Sequence, residues 1–158
     1  MKINNNLFSL KNKVILITGA GRGIGQHLAE KIAEQNATVY AIDKRFTKKT
    51  SKYSTKNLFK IKCDITDQDA FKQVCSDIVR KKKRIDVLIN NAGISQANKQ
   101  SGKTYAKDKW DETLRINLTA HFSCSQEVIQ YMKKRKQGSI INITSINAEL
   151  GFPRNPAY

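Results

Sequence analysis

Residues 14–25, Val-Ile-Leu-Ile-Thr-Gly-Ala-Gly-Arg-Gly-Ile-Gly, leave few choices of fold. A short apolar run, rich in β-branched side chains, leads into a turn with glycine at 19, 21, 23 and 25, and an amphipathic segment follows. An apolar run of this length reads as a strand buried on both faces of a parallel sheet. Four glycines in seven positions let the backbone take φ > 0 and come close to a ligand. The helix behind them offers unpaired N–H groups and the positive end of its dipole. Strand, turn and helix together make a cradle for an anionic phosphate. The plain alternative is a glycine-rich turn with no ligand, and so dense a glycine pattern between a strand and a helix disfavours it.

The alternation continues down the chain. Further strands are expected at 38–42, 58–61, 86–89 and 139–144, and helices at 24–36, from 66 to the basic run at 80–84, and at 107–136. The first helix shows Ile24, Leu28, Ile32 and Ala33 on one face. The second, capped by Thr66 with Asp67 and Asp69 in its first turn, shows Phe71, Val74, Cys75, Ile78 and Val79. The third is long, is stopped by Gly138, and has Trp110, Leu114, Leu118, Phe122, Val128, Ile129 and Met132 as its apolar face. Residues 1–12 read as a polar lead-in. The stretch with Thr47, Thr50, Ser51, Ser54 and Thr55 reads as a loop or poor helix. Residues 95–104 and the tail 145–158, with Gly151, Pro153 and Pro156, read as loops. This pattern predicts an α/β fold, a Rossmann-like doubly wound parallel sheet, with right-handed crossovers ordering its strands 3-2-1-4-5.

The chain has 158 residues, enough for one hydrophobic core. No apolar run approaches the ~18 residues of a membrane span, and residues 1–6 lack the apolar stretch of a signal peptide. Cys63, Cys75 and Cys124 have neither metal nor redox spacing, so they read as free thiols in a reducing cytoplasm, and no metal is expected. With 29 Lys and Arg against 13 Asp and Glu, a formal charge of +16, a basic nucleic-acid-binding module becomes an alternative class. The basic runs at 80–84 and 133–136 each close a helix, at the sheet edge away from the glycine turn, and no aromatics interleave with them. Solvated helix caps are therefore the better reading.

Several polar residues fall where an open α/β sheet binds ligands. Asp43 ends the second strand 24 residues after Gly19, where a carboxylate hydrogen-bonds the ribose hydroxyls of an adenosine and favours NAD over NADP. Arg22, Lys44 and Arg45 stand close enough in sequence to pair with a 2′-phosphate, which keeps NADP open. Asp64 either reaches an adenine or belongs to the capping turn 64–67. The fourth strand runs into Asn90-Asn91-Ala92-Gly93, a cofactor crevice or an Asx-rich turn. Asn117 lies on or beside a buried helix face. An unpartnered amide there costs about 1–3 kcal/mol, so it should bind backbone, water or another side chain. His121 and His27 read as packed or surface histidines.

Taken together, residues 18–25 (TGxxxGxG), Asp64, Asn90-Asn91-Ala92-Gly93, Asn117, the strand 139–145 and Tyr158 resemble the short-chain dehydrogenases/reductases in order and spacing, over essentially the whole chain. The resemblance implies an NAD(P)-dependent oxidoreductase moving hydride between nicotinamide and a secondary alcohol or ketone. The kinds most resembled are 3-oxoacyl thioester reductases and sugar-acid or polyol dehydrogenases. It also implies roles. Tyr158 would be the acid/base, Ser145 the hydroxyl that polarises the substrate carbonyl, and Asn117 the residue that kinks its helix and holds a relay water. Thr18, Gly19, Arg22, Gly23, Ile24 and Gly25 would form the pyrophosphate turn. Asp43 would take the ribose, Asp64 and Ile65 the adenine, and Asn91, Ala92 and Gly93 the cofactor wall supported by Asn90.

A tyrosine of pKa ~10 needs its phenolate stabilised to work near neutral pH. The family's lysine for that purpose would stand four residues beyond Tyr158. The expectation is thus an N-terminal portion of an oxidoreductase: one domain over residues 1–158, truncated, incomplete at its C-terminus and inactive alone, with strand five an exposed edge. A complete enzyme is expected to be a cytoplasmic homo-oligomer acting on a small carbonyl or alcohol, with no membrane partner. A non-catalytic dinucleotide-binding relative is the remaining alternative.

Overall fold

The apolar run forms β1 (Val14–Thr18), buried at every residue, at the centre of a five-stranded sheet. Around it lie β2 (Thr38–Asp43), β3 (Leu58–Lys62), β4 (Val87–Asn90) and β5 (Ser139–Asn142), all parallel, in the expected order β3-β2-β1-β4-β5. Residues 9–46, 56–98, 104–151 and 154–158 are described in this computed structural model. The lead-in at 1–8, the segment 47–55, residues 99–103 of the polar loop and Pro153 lie outside them.

Side chains alternate across the sheet and build two cores. On one side Leu16, Tyr40, Ile42 and Leu88 pack with Phe71, Cys75 and Ile78 of α2 (Gln68–Lys82) and Cys124, Val128 and Met132 of α4 (His121–Arg135). On the other, Ile15, Ile17, Val39, Ala41 and Ile89 pack with Ala29 and Ala33 of α1 (Gly23–Glu34). β5 takes the edge beside β4, and Ile141 and Ile143 are exposed there.

Three local expectations need correction. The apolar face read for α1 holds at Leu28, Ile32 and Ala33, which pack against the sheet with Ala29, but Ile24 is 67% exposed and Gly25 is buried instead. Small residues at 25, 29 and 33 let the helix approach the sheet closely. The cap of α2 is Asp67, whose carboxylate accepts the Ala70 N–H at 3.0 Å. Thr66 is withdrawn from capping because its N–H and hydroxyl both donate to Asp64 Oδ1.

The third helix is not continuous: α3 (Lys107–Leu114) passes into a π-helical segment, Arg115–Ala120, before α4. The wider turn brings Thr113, Ile116, Ala120, Cys124, Val128 and Met132 inward and leaves Leu118 and Phe122 each 63% exposed. Lys136, in the left-handed conformation (φ 51°), ends α4 rather than Gly138. Glycine is needed at 138 because a Cβ would lie 2.3 Å from Met132 Sδ.

One buried carboxylate ties the amino edge of the sheet together. Asp86 accepts the N–H of Val14 (2.8 Å), Arg84 Nε (2.7 Å) and Arg135 Nη1 (3.0 Å). Each basic run thus spends one arginine on the same group. Among the described residues, no grouping of His, Cys, Asp and Glu is placed to hold a metal, and no helix is long and apolar enough to cross a membrane.

Candidate functional site

At the carboxyl ends of β1 to β4 the loops enclose a cavity of about 670 Å³. Its floor is the turn after β1. Gly19 has φ +66°, and a Cβ there would come within 2.5 Å of Ala92 Cα. A Cβ on Gly25 would lie 2.3 Å from Asn91 Nδ2 and 2.5 Å from the Gly19 carbonyl oxygen. Only glycine fits either place. The start of α1 is left open: Arg22 supplies no side-chain cap, and no acidic residue stands in the first turn. Its free N–H groups and dipole suit a phosphate.

Asp43 supplies the second fixed element. Its carboxylate accepts the Gly21 N–H (2.8 Å) and the Arg45 N–H (3.0 Å), which orients it at the cavity rim beside Lys44 and Arg45. Asp64 has two observed surroundings. It lines the cavity and also anchors the turn before α2, where the Thr66 N–H holds its carboxyl below the ordinary range against the opposing effect of burial.

The wall opposite is stitched to the floor. The hydroxyl oxygen of buried Thr18 accepts N–H groups from Asn91 (3.1 Å) and Ala92 (3.2 Å). The Asn91 amide donates to the carbonyls of Thr18 (2.9 Å) and Gly19 (3.1 Å). Thr18 therefore lies beneath the cavity. Every other residue expected at the cofactor lines it: Gly19, Arg22, Gly23, Ile24, Gly25, Asp43, Asp64, Ile65, Asn91, Ala92 and Gly93. Cys63, Ile94 and Ile116 join them unforeseen. Asn90, below the wall, donates its amide to Ser125 Oγ (3.0 Å) and Asn142 Oδ1 (2.9 Å), joining β4 to α4 and β5. Open helix start, glycine-only cradle and oriented carboxylate fit the phosphates and ribose of a dinucleotide.

The residues expected to act on substrate are placed differently. None of Asn117, Ser145 and Tyr158 lines this cavity. Asn117, inside the π-helical segment, brackets Ile94: Oδ1 accepts its N–H at 2.9 Å and Nδ2 donates to its carbonyl at 2.8 Å. Ser145 follows β5 and accepts the Asn147 N–H at 3.3 Å, opening a short 3-10 turn, Ile146–Ala148. Tyr158 is 40% exposed. Among the described residues, no hydrogen bond joins the Ser145 and Tyr158 hydroxyls.

Two residues escaped the sequence reading. Asn155, buried, moors the tail: its amide donates to Ser95 Oγ (2.9 Å) and its oxygen accepts the Tyr105 hydroxyl (3.3 Å). His121, read as a packed or surface residue, contacts the Ala92 carbonyl at 2.6 Å. Neither contact leaves a spacing signal, because both join segments far apart in the chain.

The chain is similar to known proteins along nearly all of its length. A family profile described as short chain dehydrogenase matches residues 13–158. The chain is 36% identical to the 3-oxoacyl-[acyl-carrier-protein] reductase FabG of Thermotoga maritima, over 94% of this chain and 62% of that protein. It is 35% identical to gluconate 5-dehydrogenase of Gluconobacter oxydans, over 97% of this chain and 61% of that one. The ligand-free aldohexose dehydrogenase of Thermoplasma acidophilum superposes with a TM-score of 0.81 at 30% identity, covering 94% of this chain and 55% of that one. The chain thus spans roughly three fifths of the length of such relatives. Matched by that profile from residue 13 to residue 158, the chain belongs to the short-chain dehydrogenase family.

Proposed function

We propose that the protein is an NAD(P)-dependent oxidoreductase that interconverts a secondary alcohol and a ketone on a small molecule, with NAD preferred. The observation that carries this reading is the cavity itself, with its glycine-only floor, open helix start and Asp43 carboxylate held by two backbone N–H groups. When bound, the nicotinamide ring supplies hydride exchange with the carbonyl carbon.

The turn at 19–25 would hold the pyrophosphate, and Asp43 would accept the ribose hydroxyls. A 2′-phosphate at that place would face the Asp43 carboxylate, and the exposed side chains of Lys44 and Arg45 offset that repulsion only in part. Ser145 accepts a hydrogen bond from Asn147, which leaves its O–H free to donate to a substrate carbonyl. Tyr158 would give a proton to the carbonyl oxygen during reduction and take it back during oxidation. The relatives' names point to oxo and hydroxy substrates of two kinds, 3-oxoacyl thioesters and sugar acids. Three free thiols, all buried, support a cytoplasmic setting, and the exposed Leu118 and Phe122 support a homo-oligomer.

The test is reduction of 3-oxoacyl thioesters and keto-sugar acids by NADH and NADPH in the whole protein. Tyr158→Phe should lower kcat by at least about 100-fold while dinucleotide affinity stays unchanged. Turnover unaffected by Tyr158→Phe contradicts the assignment. Dinucleotide binding without turnover on either class favours the non-catalytic relative.

A further inference from the structure

β4 ends at Asn90, and the residues after it leave the sheet while forming one wall of the cavity. Side chains, not strand pairing, fix that wall. Thr18 takes the N–H groups of Asn91 and Ala92, and Asn117 brackets Ile94. The carbonyl of Ala92 is met by His121, with Nε2 2.6 Å from the oxygen. A carbonyl only accepts, so Nε2 carries hydrogen and donates. Ala92 is thus held through both of its backbone polar groups, its N–H by Thr18 and its carbonyl by His121.

The position matters because there is no slack between wall and floor. Ala92 Cα sits so close to Gly19 that even a Cβ there would lie 2.5 Å away. A shift of Ala92 therefore moves one wall against the phosphate turn. We infer that His121 is a positioning residue for the dinucleotide, fixing the wall at residues 91–94 through its hydrogen bond to Ala92. The inference rests on the proposed dinucleotide site, and His121 acts only through Ala92, since it does not line the cavity. Its placement follows from the helix: Asn117 and His121 stand one turn apart, at and just after the π-helical segment, so both reach the same loop. Burial holds the imidazole below its ordinary pKa against the effect of the Ala92 bond, so the neutral ring is the donor at neutral pH.

Two substitutions in the whole protein separate this role from space filling. His121→Leu keeps apolar volume and removes the donor. His121→Gln keeps an N–H of similar reach. Hydrogen exchange of residues 91–94 is measured in the ligand-free protein, and NADH affinity by its fluorescence. His121→Leu should speed exchange in that segment and weaken NADH by about tenfold each, the size of one lost hydrogen bond. KM for the carbonyl substrate should stay unchanged, and His121→Gln should keep both readings within about twofold of the parent. Unchanged exchange in His121→Leu, or no rescue by His121→Gln, overturns the inference. If His121→Leu exchanges fast everywhere, it has lost its fold, and His121→Met repeats the test with a more adaptable side chain. Faster exchange at 91–94 in a protein whose parent binds no NADH keeps the positioning role and overturns the dinucleotide reading instead.

Discussion

Asp86→Asn tests whether the amino edge of the sheet is held as described. Four N–H groups converge on this carboxylate: Val14 N, Arg84 Nε, Arg84 Nη2 and Arg135 Nη1. An amide offers one acceptor oxygen and two new donors, so at least one converging N–H must face another donor. Removing one partner of a buried ion pair costs roughly 3–5 kcal/mol. The guanidinium groups retain 33% and 26% exposure and regain some water, which lowers the expected loss to about 2–4 kcal/mol. At about 2–4 °C per kcal/mol for a chain of this size, the melting temperature should fall by roughly 5–15 °C.

The pH dependence has a definite sign. Burial alone raises the Asp86 carboxyl, but the bonds from Arg84, Val14 N–H and Arg135 outweigh it and hold the group below its ordinary value. A depressed carboxyl stabilises fully above its unfolded pKa of about 3.9 and loses that contribution as pH falls through the folded value. Urea unfolding of parent and variant should therefore show a constant gap from pH 7 to about 5, closing only below about 4. A gap under about 0.5 kcal/mol at pH 7, or one that closes well above pH 4, refutes the reasoning.

Two further outcomes follow from the cradle and the charge. Gly25→Ala places a Cβ 2.3 Å from Asn91 Nδ2 and should abolish measurable NADH binding. Gly23→Ala meets nothing within 4 Å but has φ +59°, so it should cost about 1 kcal/mol of stability and leave NADH affinity within about fivefold; the opposite ranking in a fluorescence titration contradicts the cradle. In a gel shift with duplex DNA, any complex should dissolve by physiological ionic strength, since its attraction is only that of solvated lysines. A complex that survives there restores nucleic-acid binding as a function.

Much of the fold was legible because each apolar run met its turn signal in strict alternation, which leaves one strand order. Helix faces were less so. Counting apolar residues found Leu28, Ile32 and Ala33 but also favoured Ile24, Leu118 and Phe122, whereas the core takes Gly25 and Ala29 from α1, and the π-helical segment turns Ile116 and Ala120 inward. The cap of α2 was misread by one residue because Asp64 competes for Thr66. At the site, residues at strand ends were readable from spacing, since the carboxyl edge of a parallel sheet gathers them. Thr18, read as part of the pyrophosphate turn, lies beneath the cavity with its hydroxyl accepting the N–H groups of Asn91 and Ala92. His121 and Asn155 were unreadable, because their partners are polar groups of segments that only the folded chain brings near.

We propose that the cavity over the glycine turn is a dinucleotide site shaped for NAD. Calorimetric titration of the whole protein with NADH and then NADPH tests it most directly. One site per chain is expected, with NADH bound at least about tenfold more tightly than NADPH, a difference of roughly 1.4 kcal/mol. Binding of neither dinucleotide, or NADPH bound as tightly as NADH, would contradict it.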